Sequence, residues 1–573
     1  MSIAMTLRQR GERAARARTA PAVENRPPSC RDIAMPRSLR LALPALAATL
    51  AACVSSTSPP TAAGDRRAID AVDTLVVIYA ENRAFDTLFG LFPGANGLPG
   101  VNPSAVGSYV AQVDRDGGAL ATLPPTWGGV MARGQPLTIS EAQTRGLANR
   151  PYLLNGANAL GGGSGIVVPI EQMTKSPVHR YYQSIMQIDG GSNDGFAAWS
   201  DVGGLVMGYY DGSGLAMWQV ARRYTLADHF FMGAFGGSFL NHQYLVCACA
   251  PEYPDADRSP AKDRIAAIET DARGRVRLAV TAESASSALN GAPRFVRDGD
   301  ITPRDERGMF HAINTMQPRY QPSGVAPAAG GDARYGDPAD PQMLPPQRAT
   351  TIADRLDAKG VSWAWYSGAW KAASAQTPAA RSIIYGGDAR FQPHHQPFNY
   401  YAAFDPATHA EYRAAHLKDF DSDFLADAAA GKLPAVSFYK PQGNLNQHPG
   451  SSTVALGDAH LASVVAALEK SPQWPHMLVV VTYDENGGFW DHARVPKGDR
   501  WGPATRVPAI IVSPLAKKGF VDRTPYDTAS ILRFITRRWN LAPLAGVEAR
   551  DRALAANGEP PMGDLTAALE APR

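Results

Sequence analysis

Several short apolar runs in this chain stop abruptly at polar residues, and this constrains the fold more than any other feature. Residues 74–80 end at Glu81-Asn82, and residues 477–482 lead into Asp484-Glu485-Asn486-Gly487-Gly488. Further runs occupy 362–366, 435–439 and 509–512. Runs this short, apolar at successive positions, read as strands buried on both faces of a sheet. Helical patterns at 459–470 and 528–539 lie between and after them. Strands alternating with helices predict an α/β fold with a mostly parallel central sheet and helices on both faces. No repeat with a period of roughly 20–50 residues is present, which argues against a solenoid. Stretches near 95–165 and 250–350 are rich in Gly, Pro, Asp and Ala, and read as insertions shaping the entrance to a site.

Charge divides the chain unevenly. Of its 56 basic and 53 acidic residues, nine and three lie in residues 1–52, leaving 47 against 50 for the rest. A body with a net charge of −3 lacks the basic footprint of a nucleic-acid binder. The N-terminus reads as an export leader: Met35-Pro36-Arg37-Ser38-Leu39-Arg40 is followed by apolar residues 41–52, too few to span a bilayer. Leu50-Ala51-Ala52-Cys53 has the form of a bacterial lipobox, which would leave Cys53 as a lipid anchor and send the protein to a membrane surface or the periplasm. The same residues also fit a plain cleaved signal peptide, with Cys53 incidental. Residues 1–34 carry no apolar period, so the start could equally be Met35. Residues 1–52 are thus leader, 53–70 a tether rich in Ser, Thr, Pro and Ala, and 71–573 the catalytic body. Cys247 and Cys249 lie in an apolar run at a spacing too short for an ordinary disulfide or zinc pair, and read as buried free thiols.

In open α/β sheets, ligands bind beyond the carboxyl ends of the strands. Glu81 and Asn82 stand at such an end, where a carboxylate beside an amide oxygen suits a hard divalent cation; the dipeptide also fits a simple Asn-capped turn. Asp484 and Glu485 stand at another end, where adjacent buried carboxylates repel unless a cation or partner compensates. Gly236-Gly237-Ser238 precedes a helical stretch through Asn241, and a serine at a helix N-terminus can serve as nucleophile beside a bound anion. Gly-Gly-Ser is also an ordinary turn and cap. His179, the pair His394-His395 and His448 lie in polar or Pro/Gly-rich contexts and could share one anionic site, with imidazolium supplying charge and a proton.

With these residues in hand, the chain resembles the bacterial phosphoesterase family that contains acid phosphatases and non-specific phospholipases C. Glu81-Asn82-Arg83-Ala84-Phe85-Asp86 is similar to that family's Glu-Asn-Arg-Ser-Phe-Asp opening. Asp484-Glu485-Asn486-Gly487-Gly488-Phe489-Trp490-Asp491-His492 is similar to its Asp-Glu-x-Gly-Gly-x-x-Asp-His signature, in the same order, with similarity over about 73–541. The resemblance implies an alkaline-phosphatase-like core with one divalent metal ion held by Glu81, Asn82, Asp484 and Glu485. Mg, Mn, Ca and Fe suit those ligands alike. It implies Ser238 as nucleophile, His179, His395 and His448 at the phosphoryl group, and His394, Asn241 and Asp194 as substrate contacts. Which member of the His394-His395 pair faces the phosphoryl group stays open.

The chain departs from the phospholipase pattern around the nucleophile. Gly236-Gly237-Ser238-Phe239-Leu240-Asn241-His242 has Ser for Thr and His for Arg, as in the acid phosphatase branch, and Phe391–Tyr400 resembles that branch too. The reading is therefore a metal-dependent acid phosphatase acting on a small phosphorylated substrate through a phosphoserine. A phospholipase C and a non-catalytic ligand-binding lipoprotein are the alternatives. An acidic optimum is natural if activity needs protonated imidazoles. No Cys or Ser stands in the Cys/Ser-x-Pro-x-Arg context of a sulfatase.

Overall fold

A strand with no polar face belongs inside a sheet, and β1 (Thr74–Ala80) is there: all seven residues are buried, and a parallel strand pairs with it on each side. The structure is a computed structural model describing residues 62–156, 167–375 and 377–571. The other strands of the main sheet are β2 (Thr225–Ala227), β3 (Trp363–Ser367), β4 (Leu417–Asp419), β5 (Val436–Lys440), β6 (Met477–Tyr483), β7 (Ala509–Val512) and β8 (Phe520–Asp522). They lie in the order β8-β2-β7-β6-β1-β5-β3-β4, and only β7 runs against its neighbours. The five strands from β6 to β4 are consecutive and parallel.

The α/β expectation is met, and the predicted strands fall within a residue of the observed ones. β2, β4 and β8 went unpredicted, because three residues are too few to carry a period. The helical patterns correspond to Val454–Leu468, whose start is set by the Thr453 side chain accepting from Leu456 N at 3.1 Å, and to Thr528–Arg538. The leader and Cys53 lie outside the described residues.

One expectation fails. Cys247 and Cys249 are joined by a disulfide rather than left as free thiols. Ala248 between them takes a left-handed conformation (φ 51°) at the end of helix Ser238–Cys247, which turns the chain back and brings the two Cα atoms to 5.2 Å.

Candidate active site

Three neighbouring parallel strands, β5, β1 and β6, deliver the central charges. Their carboxyl ends carry Lys440, Glu81 and Asp484-Glu485, with Ala80 in register with Tyr483 and Ile78 with Tyr439. Glu81, Asp484, Glu485 and Lys440 are all fully buried. The Lys440 ammonium lies 3.0 Å from Glu81 Oε1, and donates to Asp484 Oδ2 at 3.2 Å and to the Ala80 carbonyl at 3.4 Å. Asn446 donates to Glu81 Oε2 at 2.7 Å, and Glu485 N donates to Asp484 Oδ1 at 2.8 Å.

Past the end of β1, Asn82 adopts φ 64°, a left-handed conformation that asparagine tolerates better than most residues but that still costs on the order of 1 kcal/mol. The turn directs its amide at Ser238, whose Oγ donates to Asn82 Oδ1 at 3.3 Å and reaches Glu485 Oε1 at 3.5 Å. Ser238 is the first residue of α1 (Ser238–Cys247), every residue of which is buried. The approach to it demands glycine: Gly236 has φ +97°, and a Cβ there would fall 2.8 Å from Tyr181 N. The other side is closed by Gly487, where φ is +65° and a Cβ would meet the Asn82 carbonyl oxygen at 2.6 Å.

A cavity of about 320 Å³ opens over Ser238, with His179, His394, His448 and Gln392 in its walls. Asn314 and Thr315, from the 250–350 stretch, also line it, and Asn314 accepts from Tyr181 N at 3.0 Å. His179 Nδ1 lies 2.6 Å from the Pro177 carbonyl, which can only accept, so Nδ1 carries the proton and Nε2 faces the cluster as an acceptor. That Nε2 accepts from Asn82 Nδ2 at 3.3 Å and lies 3.5 Å from Glu485 Oε1. His448 Nδ1 is tied to the Pro449 carbonyl in the same way, and His242 Nδ1 to Ser238 O at 2.7 Å.

The charges do not balance. Burial pushes the Asp484 carboxyl up to about 7 against the pull of Lys440, with Glu81 adding to the push. Burial, then Asp484 and Glu81, drive Glu485 well above the usual carboxylate range. For Glu81 burial is outweighed by His395 and Lys440, which hold it well below that range. Burial lowers His179 and His395 to about 4 and takes His394 and His242 well below their ordinary value. His448 is lowered too, again by burial first. Burial thus works against the imidazolium form at these five histidines. Asn82 Oδ1 and Glu485 Oε1 lie within 3.5 Å of Ser238 Oγ, and Glu81 and Asp484 are joined beside them through Lys440, so oxygen donors of the kind that suit a hard divalent cation gather here. Glu81, His394 and His395 form a second group whose ligand atoms lie within 4.8 Å of one another.

The predicted residues Glu81, Asn82, Ser238, His179, Asp484 and Glu485 come together, and His394, His395 and His448 stand around them. The histidine pair divides: His394 lines the cavity, while His395 turns to Glu81 Oε1. Two predicted substrate contacts are placed otherwise. Asn241 uses its amide on its own loop, accepting from Ala234 N at 2.9 Å and donating to the carbonyls of Ala234, Gly236 and Gly237. Asp194 is not among the cavity walls; its carbonyl accepts from Val113 N at 2.9 Å, and Arg273 acts on its carboxyl. Lys440 and Asn446 were missed. A lysine directly after an apolar strand run is the same signal that singled out Glu81, and would have found the first.

The distal halves of the two long motifs form a separate cluster. Arg506 binds Asp491 through Nε at 3.1 and 3.2 Å and Asp86 Oδ1 at 3.0 Å, while His492 Nδ1 lies 2.6 Å from Asp86 Oδ2. This clasp locks 81–86 against 484–492 and so sets the spacing of the site above.

The sequence profile of the phosphoesterase family matches residues 72–542, and the chain belongs to that family. Among its relatives, the non-specific phospholipase C6 of Arabidopsis thaliana is 35% identical over 161 residues, 22% of this chain and 30% of that protein. Phospholipase C A of Mycobacterium tuberculosis is 28% identical over 259 residues, 40% of this chain and 45% of its own. The chain thus spans less than half the length of these relatives. A solved structure described as a protein in the alkaline phosphatase superfamily, from Vibrio parahaemolyticus, overlaps 38% of this chain and 51% of its own at 13% identity, with a TM-score of 0.22.

Proposed function

We propose that this protein hydrolyses phosphoric monoesters, with Ser238 as the nucleophile. The observation that carries the reading is the Ser238 hydroxyl at the N-terminus of a buried helix, 3.3 Å from Asn82 and 3.5 Å from Glu485, on the floor of an imidazole-lined cavity. A divalent cation held by Glu81, Asn82, Asp484 and Glu485 would supply Lewis acidity that makes the serine oxygen a nucleophile near neutral pH. The free N–H groups opening α1 stabilise phosphoryl oxygens. Ser238 Oγ bonds to phosphorus as the ester P–O bond breaks, and its proton passes to an unprotonated imidazole nitrogen of His179, His394 or His448, which hands it on to the leaving oxygen. Water then cleaves the phosphoserine, releasing phosphate and restoring the hydroxyl.

A second reading is a phospholipase C acting on phosphatidylcholine or similar lipids, and the relatives' names support its phospholipase C part. Export is part of the proposal, and the Cys247–Cys249 bond supports it, because disulfides persist in oxidising compartments. The test is turnover of p-nitrophenyl phosphate and of its phosphorylcholine ester by the purified full chain, beside Ser238→Ala and a chelated sample. Monoester turnover lost in both is the expected result. Turnover of the choline ester alone would select the phospholipase, and turnover by Ser238→Ala would overturn the nucleophile.

A further inference from the structure

Lys440 is a fully buried cation set among three fully buried carboxylates. Lysine is almost never completely buried unless paired. The ammonium forms an ion pair with Glu81 Oε1 at 3.0 Å, and donates to Asp484 Oδ2 at 3.2 Å and to the Ala80 carbonyl at 3.4 Å. The Tyr79 ring lies 5.4 Å away as a further cation-stabilising face. These separations suit N–H···O bonds and are far longer than metal–oxygen bonds, so the space between Glu81 and Asp484 is already taken by a positive charge. The count agrees. With every carboxylate ionised, Glu81, Asp484 and Glu485 against Lys440 leave a formal −2, which one divalent ion neutralises and two would overshoot.

We propose that Lys440 is a built-in cation that stands in place of a second metal ion, so that the site takes one divalent ion and holds it more weakly than the bare carboxylates would. Lys440 is then a positioning residue: it keeps Glu81 and Asp484 together without touching substrate. The inference rests on the metal reading given under the proposed function.

The experiment is calorimetric titration of Mn²⁺ into chelator-stripped full-length protein, wild type against Lys440→Met, with melting of the metal-free proteins alongside. Wild type is expected to take one equivalent. Lys440→Met is expected to take a second, or to hold the first about tenfold tighter or more, since a charge has left the cluster. Metal-free Lys440→Met should melt well below wild type. Lys440→Met should cost less in a Glu81→Gln background, because one of the two carboxylates it left unpaired is gone. That double variant carries the test if metal-free Lys440→Met does not fold. Unchanged or weaker Mn²⁺ binding in Lys440→Met, or additive losses in the double variant, would overturn the proposal while leaving the metal reading intact. A wild type that takes up no ion overturns both.

Discussion

At the near ends of segments 81–86 and 484–492, Glu81 meets Asp484 and Glu485 around Lys440; at their far ends, Asp86 meets Asp491 around Arg506 and His492. Both clusters are buried and rich in carboxylate, yet they differ in how far their charge is satisfied. Arg506 also donates to the carbonyls of Asn96 and Asp228 at 2.7 Å each, so its planar fork is filled on every side. Burial would raise Asp86, but His492 and Arg506 overcome it and hold the carboxyl low. The upper cluster has one ammonium for three carboxylates, and two of the three resist ionisation. Asp86, Asp491 and His492 have metal-like spacing, with ligand atoms within 4.8 Å, but the guanidinium already fills the place between the two carboxylates. Spacing alone does not distinguish a structural clasp from a reactive site. The remaining charge does.

That contrast breaks most sharply at Arg506. Arg506→Met leaves Asp491 without its guanidinium and Asp86 with His492 alone, and should cost about 3–5 kcal/mol in denaturant unfolding. A loss below about 1 kcal/mol would mean the clasp is not what holds the motifs together. Glu485→Gln should act the opposite way. Monoester turnover should fall on the order of a hundredfold or more, the scale of removing one electrostatic stabiliser, while the metal-free protein melts no lower than wild type. A drop in melting temperature there would show the site cluster to be compensated after all.

Gly487→Ala tests the seam between the two clusters. With φ +65° and a Cβ 2.6 Å from the Asn82 carbonyl, it should cost about 1–3 kcal/mol and lower turnover by displacing Asn82. The smallest effect lies outside both clusters, at His460, which is bonded to Tyr439 at 2.6 Å and lowered by burial from 6.5 to about 4. Its folded state binds fewer protons than the unfolded chain, so its share of stability is complete above about 6.5 and falls away as pH drops toward 4. His460→Gln should flatten the stability profile across that window, and an unchanged slope would contradict the assignment.

Much of this was legible in the chain because the physics is local. An apolar run such as 477–482 must be a buried strand, and carboxylates directly after it must sit at the sheet's edge, where only a cation or a partner makes them tolerable. Ser238 after two glycines marked a helix start for the same local reason. Local arguments could not separate His394 from His395, since adjacent side chains point different ways and only the surroundings choose. The family resemblance assigned Asn241 to substrate, whereas the loop from Ala234 to Gly237 needed its amide.

The sequence by itself determined the α/β class and the strand ends where buried carboxylates demand compensation, because periodicity and the cost of buried charge act on neighbouring residues. The tertiary structure alone decided the strand order that places β5 beside β1 and so brings Lys440 between Glu81 and Asp484. It also brought Arg506 to Asp86 across more than four hundred residues of chain. Which charges find a partner depends on packing between distant segments, and no local pattern encodes it.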